Sequence, residues 1–290
     1  MKISKASQIQ RKDGSNYGGQ DGAIYKDYLF RFNPKGLCRV YDMKSVAEGG
    51  DITPIAEFSL DKGDVMLPHS NAVVFGKEFY AEGDEFPLLY SNIYNNYSKE
   101  EDNRLGICCV YRLERDGEGF KTTLVQIIEI GFTDDTELWN TTVQDKPRMK
   151  AYGNFAVDAE KGIYYGFVMR GSSLGTRYFA FELPRLDDGE LDMKYGVKKV
   201  ILKQGDIKKQ FDCPEHYYLQ GACFHGGLIY SVEGFQGTAA LRVIDPEKGE
   251  QVLHVNFPDY GLDEEAEFID FYNGQCYYGD CPGSIFLLEF

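Results

Sequence analysis

Short apolar and aromatic runs, each bounded by glycine, asparagine or charged residues, recur from residue 20 to the end of the chain. Runs of this length with period-two alternation and turn chemistry between them predict β-strands. An eleven-residue frame repeats: a polar head, a small residue, an apolar–aromatic pair, a turn, then an apolar–aromatic ending. It is clearest at 20–30, 220–230 and 267–277, and looser at 69–80 and 153–165. Gly76-Lys77, Lys161-Gly162, Gly226-Gly227 and Asn273-Gly274 supply the turns, a chemistry suited to hairpins.

After each head comes a third strand, predicted at 37–42, 107–112, 177–182, 240–245 and 284–289. A fourth is predicted at 54–58, 123–130, 199–202 and 251–257. Four short strands per repeated unit are the mark of a propeller blade. The fifth unit stops after three strands, while the segment from Lys2 to Ile9 belongs to no unit. That segment is therefore expected to supply the last blade's outer strand and close the ring, which removes open sheet edges. The fold class predicted is all-β: one five-bladed β-propeller of four-stranded antiparallel blades, a single domain over 1–290. Heads begin at 20, 69, 153, 220 and 267, so the second unit is the longest. Its extra residues are expected in loops within 82–104 and around 134–150, the first of them covering 91–103.

Composition fits this picture. The 290 residues include 32 glycines and 41 tyrosines plus phenylalanines, suited to strands and tight turns. A net charge of −15 argues against nucleic acid or an anionic membrane as partner. No apolar stretch reaches the ~18 residues needed to span a bilayer, and the N-terminus as it stands carries no signal-like apolar segment. A cytoplasmic location is expected on that basis; removal of a leader or release by lysis would instead make the protein extracellular or virion-associated. Seven cysteines, with no CxxC pair, suggest buried thiols rather than a disulfide framework or zinc cluster. Cys276 and Cys281 could meet across a hairpin.

In a propeller the innermost strands line the central channel, and their starts face one mouth. The heads place Gln20, His69, Asn71, Asn154, Gln220, Glu265 and Glu267 there, with Asp21, Ser70 and Asp270 nearby. Amides, one imidazole and carboxylates around one axis could bind a polar ligand, and could equally tie blades together. Glu265 and Glu267 lie two apart on an extended strand and should face the same way. With Asn71 and Asn154, Glu267 could hold a hard divalent cation, although no cofactor is required by any motif. The sequence from Gly171 to Gly175 satisfies G-x-S-x-G, but it falls between two antiparallel strands and is read as a turn.

The Gln20 head, His69-Ser70-Asn71, Gln220-Gly221 and Glu265-Ala266-Glu267-Phe268 resemble the five-bladed propellers of Gram-positive phage receptor-binding proteins and teichoic-acid-related bacterial proteins. In those the last head reads closer to Glu-Pro-Glu-Gly, so Ala266 and Phe268 depart from it. The resemblance implies a non-enzymatic module that binds carbohydrate or glycopolymer, with Tyr90, Tyr94, Tyr97 and Trp139 as candidates to stack on sugar rings. A metal-assisted hydrolase, lactonase or cyclase at the same mouth is the alternative. A scaffold that binds a partner protein is the third.

Overall fold

A computed structural model describes residues 1–10, 13, 19–66, 68–93, 106–130, 154–169, 175–214 and 219–290. Five sheets form the five blades of a β-propeller. Their innermost strands are Gly22–Tyr25, Val73–Phe75, Phe155–Asp158, Leu219–His225 and Ala266–Tyr272. Each contacts the next, and the last contacts the first, so the ring is closed. The N-terminal strand, Lys2–Ile9, runs antiparallel to Ser284–Glu289 from Lys2↔Glu289 to Gln8↔Ser284. The expected closure is therefore present, and a short parallel strand, Gly50–Ile52, extends that blade by one more.

The third unit departs from expectation. Its outer strand is Lys209–Cys213, antiparallel to Thr176–Glu182, rather than the predicted 199–202. Residues 199–202 belong instead to Val197–Leu202, which runs parallel to Gly119–Ile130 and extends the second blade. A hairpin with Glu190–Asp192 makes that blade six-stranded. Charge and packing account for both choices. Lys199 reaches Glu129 at 3.5 Å and Asp192 at 3.3 Å. In the third blade Arg177 pairs with Asp212 at 2.8 Å, and Phe211 stacks on Tyr178 with centroids 5.1 Å apart.

The second unit's head also differs. Val73–Phe75 pairs with Leu89–Ile93, so Gly76-Lys77 opens a long connection and not a tight hairpin. Residues 91–93, expected in a loop, lie in that strand. The ring of Tyr90 is buried and leaves no room at Gly76, where a Cβ would sit 2.5 Å from it. Tyr90 is thus unavailable for stacking on sugar; Tyr94, Tyr97, Trp139 and residues 171–174 lie outside the described residues. The turns at Asn273-Gly274 and Gly226-Gly227 are as expected, with positive φ at all four residues.

Aromatic side chains fill the spaces between blades. Phe30 meets Phe58, Phe75, Phe86 and Phe120 edge-to-face at 5.4–6.4 Å, joining the first two blades. Tyr164 is stacked between Phe155 and Phe181. All seven cysteines are free thiols, so Cys276 and Cys281 are not bridged, and only Cys281 is not fully buried. Among the described residues no helix is long and apolar enough to cross a membrane.

Candidate functional site

The heads are aimed by irregularities in the inner strands. Leu219 pairs with Glu233 and Ala222 with Ser231, so one extra residue is accommodated at Gln220-Gly221. Ala266 pairs with Asp280 and Phe268 with Gly279, which leaves Glu267 as the extra residue. Bulges of this kind redirect side chains. Gly221 is required for the close approach that follows. A Cβ there would lie 2.4 Å from the Glu267 carbonyl oxygen and 2.5 Å from Asp21 Oδ1.

Much of the ring ties blades together. Asp21 Oδ2 accepts from the Val73 amide at 2.9 Å, and Asp270 Oδ2 accepts from the Ile24 amide at 2.6 Å. Asn154 Nδ2 donates to the Leu219 and Gln220 carbonyls at 3.0 and 3.3 Å. Asn71 Oδ1 accepts from Asn92 Nδ2 at 2.7 Å within its own blade. These two asparagines were expected to join Glu267 around a cation; one end of each amide is engaged by a neighbouring strand, while Asn71 Nδ2 and Asn154 Oδ1 are buried with no partner among the described residues. His69 is half-buried, and burial pushes its imidazole down to about 4, so it is neutral at pH 7.

The other four expected residues come together. Gln20 Nε2 donates to Glu267 Oε1 at 3.1 Å, and Gln220 Nε2 donates to Glu265 Oε1 at 2.7 Å. Glu265, Glu267 and Cys281 bring a carboxylate oxygen each and a thiol sulfur within 4.8 Å of one another. Beneath them lies Arg31, fully buried in the run Tyr28–Phe32. Its Nη2 donates to the Asp280 carbonyl at 3.4 Å and its guanidinium sits 5.0 Å from the Phe268 ring centre.

Burial sets the electrostatics. It pushes the Glu267 carboxyl well above the usual range; Glu265 and Asp21 add to this, while Arg31 and the Gln20 amide oppose it. Burial likewise raises Asp21 and, less strongly, Asp280 and the half-buried Glu265. The Cys281 thiol is pushed up to about 11 by burial and the two glutamates. Glu267 Oε2, Asp21 Oδ1, Gln20 Oε1 and two Arg31 nitrogens make no hydrogen bond among the described residues although buried. Buried polar atoms without partners are costly, and a site that keeps several is built to meet something else.

Arg31 and Cys281 were not among the expected site residues. Arg31 stands in an apolar strand sequence, and Cys281 stands a turn away from any head; no local pattern marks either. A second feature was also missed. At the far ends of the same inner strands a cavity of about 560 Å³ opens, lined by Ile24, Val74, Asp158, Lys161, Phe224 and Asp270 among others. His225 stacks on Phe271 beside it, with ring centres 3.8 Å apart.

No family model matches the chain, and no curated protein matches it. Among solved structures it is similar to the glutaminyl cyclase of Myxococcus xanthus, at 9% identity and a TM-score of 0.51, covering 100% of this chain and 96% of that one. It is also similar to the PQQ-bound aldose sugar dehydrogenase of Streptomyces coelicolor, at 10% identity and a TM-score of 0.48, covering 99% and 97%. At such identities the first likeness shows a shared fold and nothing finer; the second is too loose to carry weight.

Proposed function

We propose that the protein is a ligand-binding propeller whose site is the channel mouth framed by Gln20, Gln220, Glu265 and Glu267. The observation that carries this is Glu267 Oε2: the residue is 1% exposed, and this oxygen has no hydrogen-bond partner among the described residues. Gln20 Oε1 and Asp21 Oδ1 are likewise buried acceptors without a partner. A mouth rich in acceptors suits a ligand rich in donors, such as a sugar, another polyol or an amine. The glycan class implied by the resemblance of the heads falls within it.

A thermal-shift screen of sugars, glycerol phosphates and amines tests this. A stabilising compound is expected for the wild type, with Glu267→Gln and Gln220→Ala weakening its binding by about 1–3 kcal/mol each. If no compound stabilises the wild type while both variants melt earlier, the ring is only a clasp.

A catalytic reading has one observation in its favour. Two carboxyl groups, one buried and one half-exposed, meet at the mouth, an arrangement that acid–base chemistry uses. The shared fold with a glutaminyl cyclase makes cyclisation of an N-terminal glutamine peptide the first reaction to assay. Turnover abolished by Glu267→Gln would favour this reading over simple binding.

A further inference from the structure

We propose that Glu265, Glu267 and Cys281 form a binding site for one divalent metal ion of the zinc class. The inference shares the mouth with the function proposed above but does not depend on any organic ligand binding there.

The three donor atoms lie within 4.8 Å of one another. Ligands about 2.0–2.3 Å from a tetrahedral zinc stand roughly 3.5 Å apart, so small side-chain rotations would close the set. The backbone holds them ready. The Cys281 amide donates to the Glu265 carbonyl at 2.9 Å, and the Gly19 amide donates to the Cys281 carbonyl at 3.1 Å. Each carboxylate also has one oxygen engaged by a glutamine amide, Gln20 on Glu267 and Gln220 on Glu265. That leaves the second oxygen of each for an ion, with the amides as outer partners that fix orientation.

An independent observation points to a cation. Asp21, which is none of the three donors, is fully buried, and its Oδ1, which faces the Glu267 backbone across Gly221, has no partner among the described residues. Three buried carboxyl groups, Asp21, Glu267 and Asp280, lie around the Arg31 guanidinium, the one found beside them among the described residues. That guanidinium is directed at the Asp280 carbonyl and the Phe268 ring. Buried negative charge in excess must be met by protons or by a cation. A thiolate beside two carboxylates selects zinc-like ions over calcium or magnesium, which prefer oxygen alone. Three protein ligands leave the fourth tetrahedral position for water or a ligand atom. On binding, the Cys281 S–H bond breaks, its electron pair forms the metal–sulfur bond, and the proton passes to solvent, so uptake releases acid.

The test uses the full-length protein, stripped with a chelator and titrated with Co2+ alone. One equivalent is expected to bind with a near-ultraviolet thiolate-to-cobalt absorption band that Zn2+ abolishes by displacement. Cys281→Ser should remove the band, and the half-exposed Glu265→Ala, which spares the buried core, should weaken binding by about tenfold or more. Zn2+ should also slow modification of Cys281, the one thiol not fully buried, by a thiol reagent. Absence of saturable binding, or a band and affinity that survive both substitutions, overturns the proposal. Neither result bears on whether a sugar or amine stabilises the metal-free protein, so the two proposals fail separately.

Discussion

Ile9 is the residue through which ring closure can be weighed. It is fully buried at the end of the N-terminal strand, among Leu29, Tyr41, Met43, Val46, Phe268 and Ile285 of the first and last blades. Its amide donates to the Gly283 carbonyl at 2.8 Å. Ile9→Ala keeps the strand and its backbone bonds but opens a cavity, at a cost of about 2–5 kcal/mol. For a chain of this length that lowers the melting temperature by roughly 2 °C per kcal/mol, or about 4–10 °C. Deleting residues 1–9 removes the same packing and also the pairing with Ser284–Glu289. At about 1 kcal/mol for each lost bond, the total approaches the whole stability of an ordinary domain. Thermal and urea unfolding followed by circular dichroism would read both. Cooperative unfolding is expected for Ile9→Ala at the lower temperature, and loss of the folded baseline for the deletion. A deletion that melts with the wild type would refute the account of closure.

Two further predictions concern the channel. Gly221→Ala places a methyl group against the Glu267 carbonyl and should cost about 1–3 kcal/mol, measured by denaturant midpoint, while an alanine at Gly226 should meet no atom and act only through backbone strain. Burial pushes Asp270 up to about 7 from 3.8, against its two backbone hydrogen bonds. Between those values the folded state holds a proton that the unfolded state lacks, so this group's contribution falls as pH rises through the window and is flat above it. Asp270→Asn should therefore remove a fall of about 4 kcal/mol between pH 3.8 and 7 from the pH–stability curve. His69, held neutral down to about 4, slopes the opposite way between 4 and 6.5, and His69→Gln should remove that rise.

The architecture was legible because each blade repeats one frame, and because a three-strand last unit and a spare N-terminal segment complete each other. The third blade's outer strand was not. Lys199-Val-Ile-Leu202 looks more strand-like than Lys209-Gln-Phe-Asp-Cys213, yet the first pairs with the second blade's outer edge and the second is held by Arg177 and Tyr178. Local propensity cannot see such partners. At the site, Gln20, Gln220, Glu265 and Glu267 followed from the register of the heads. Asn71 and Asn154 occupy matching positions but are engaged by clasps that depend on neighbouring strands. Arg31 and Cys281 reach the mouth only through pairing across the last blade and between blades, which no short motif records.

The central claim is that the head-bearing mouth of the channel binds ligand. The most direct measurement is a crystal structure of the protein with a compound that raises its melting temperature. The account predicts polar atoms of that compound within hydrogen-bond distance of Glu267 Oε2 and Gln20 Oε1. Density at the opposite end instead, against Asp158, Lys161 and Phe224, would contradict it.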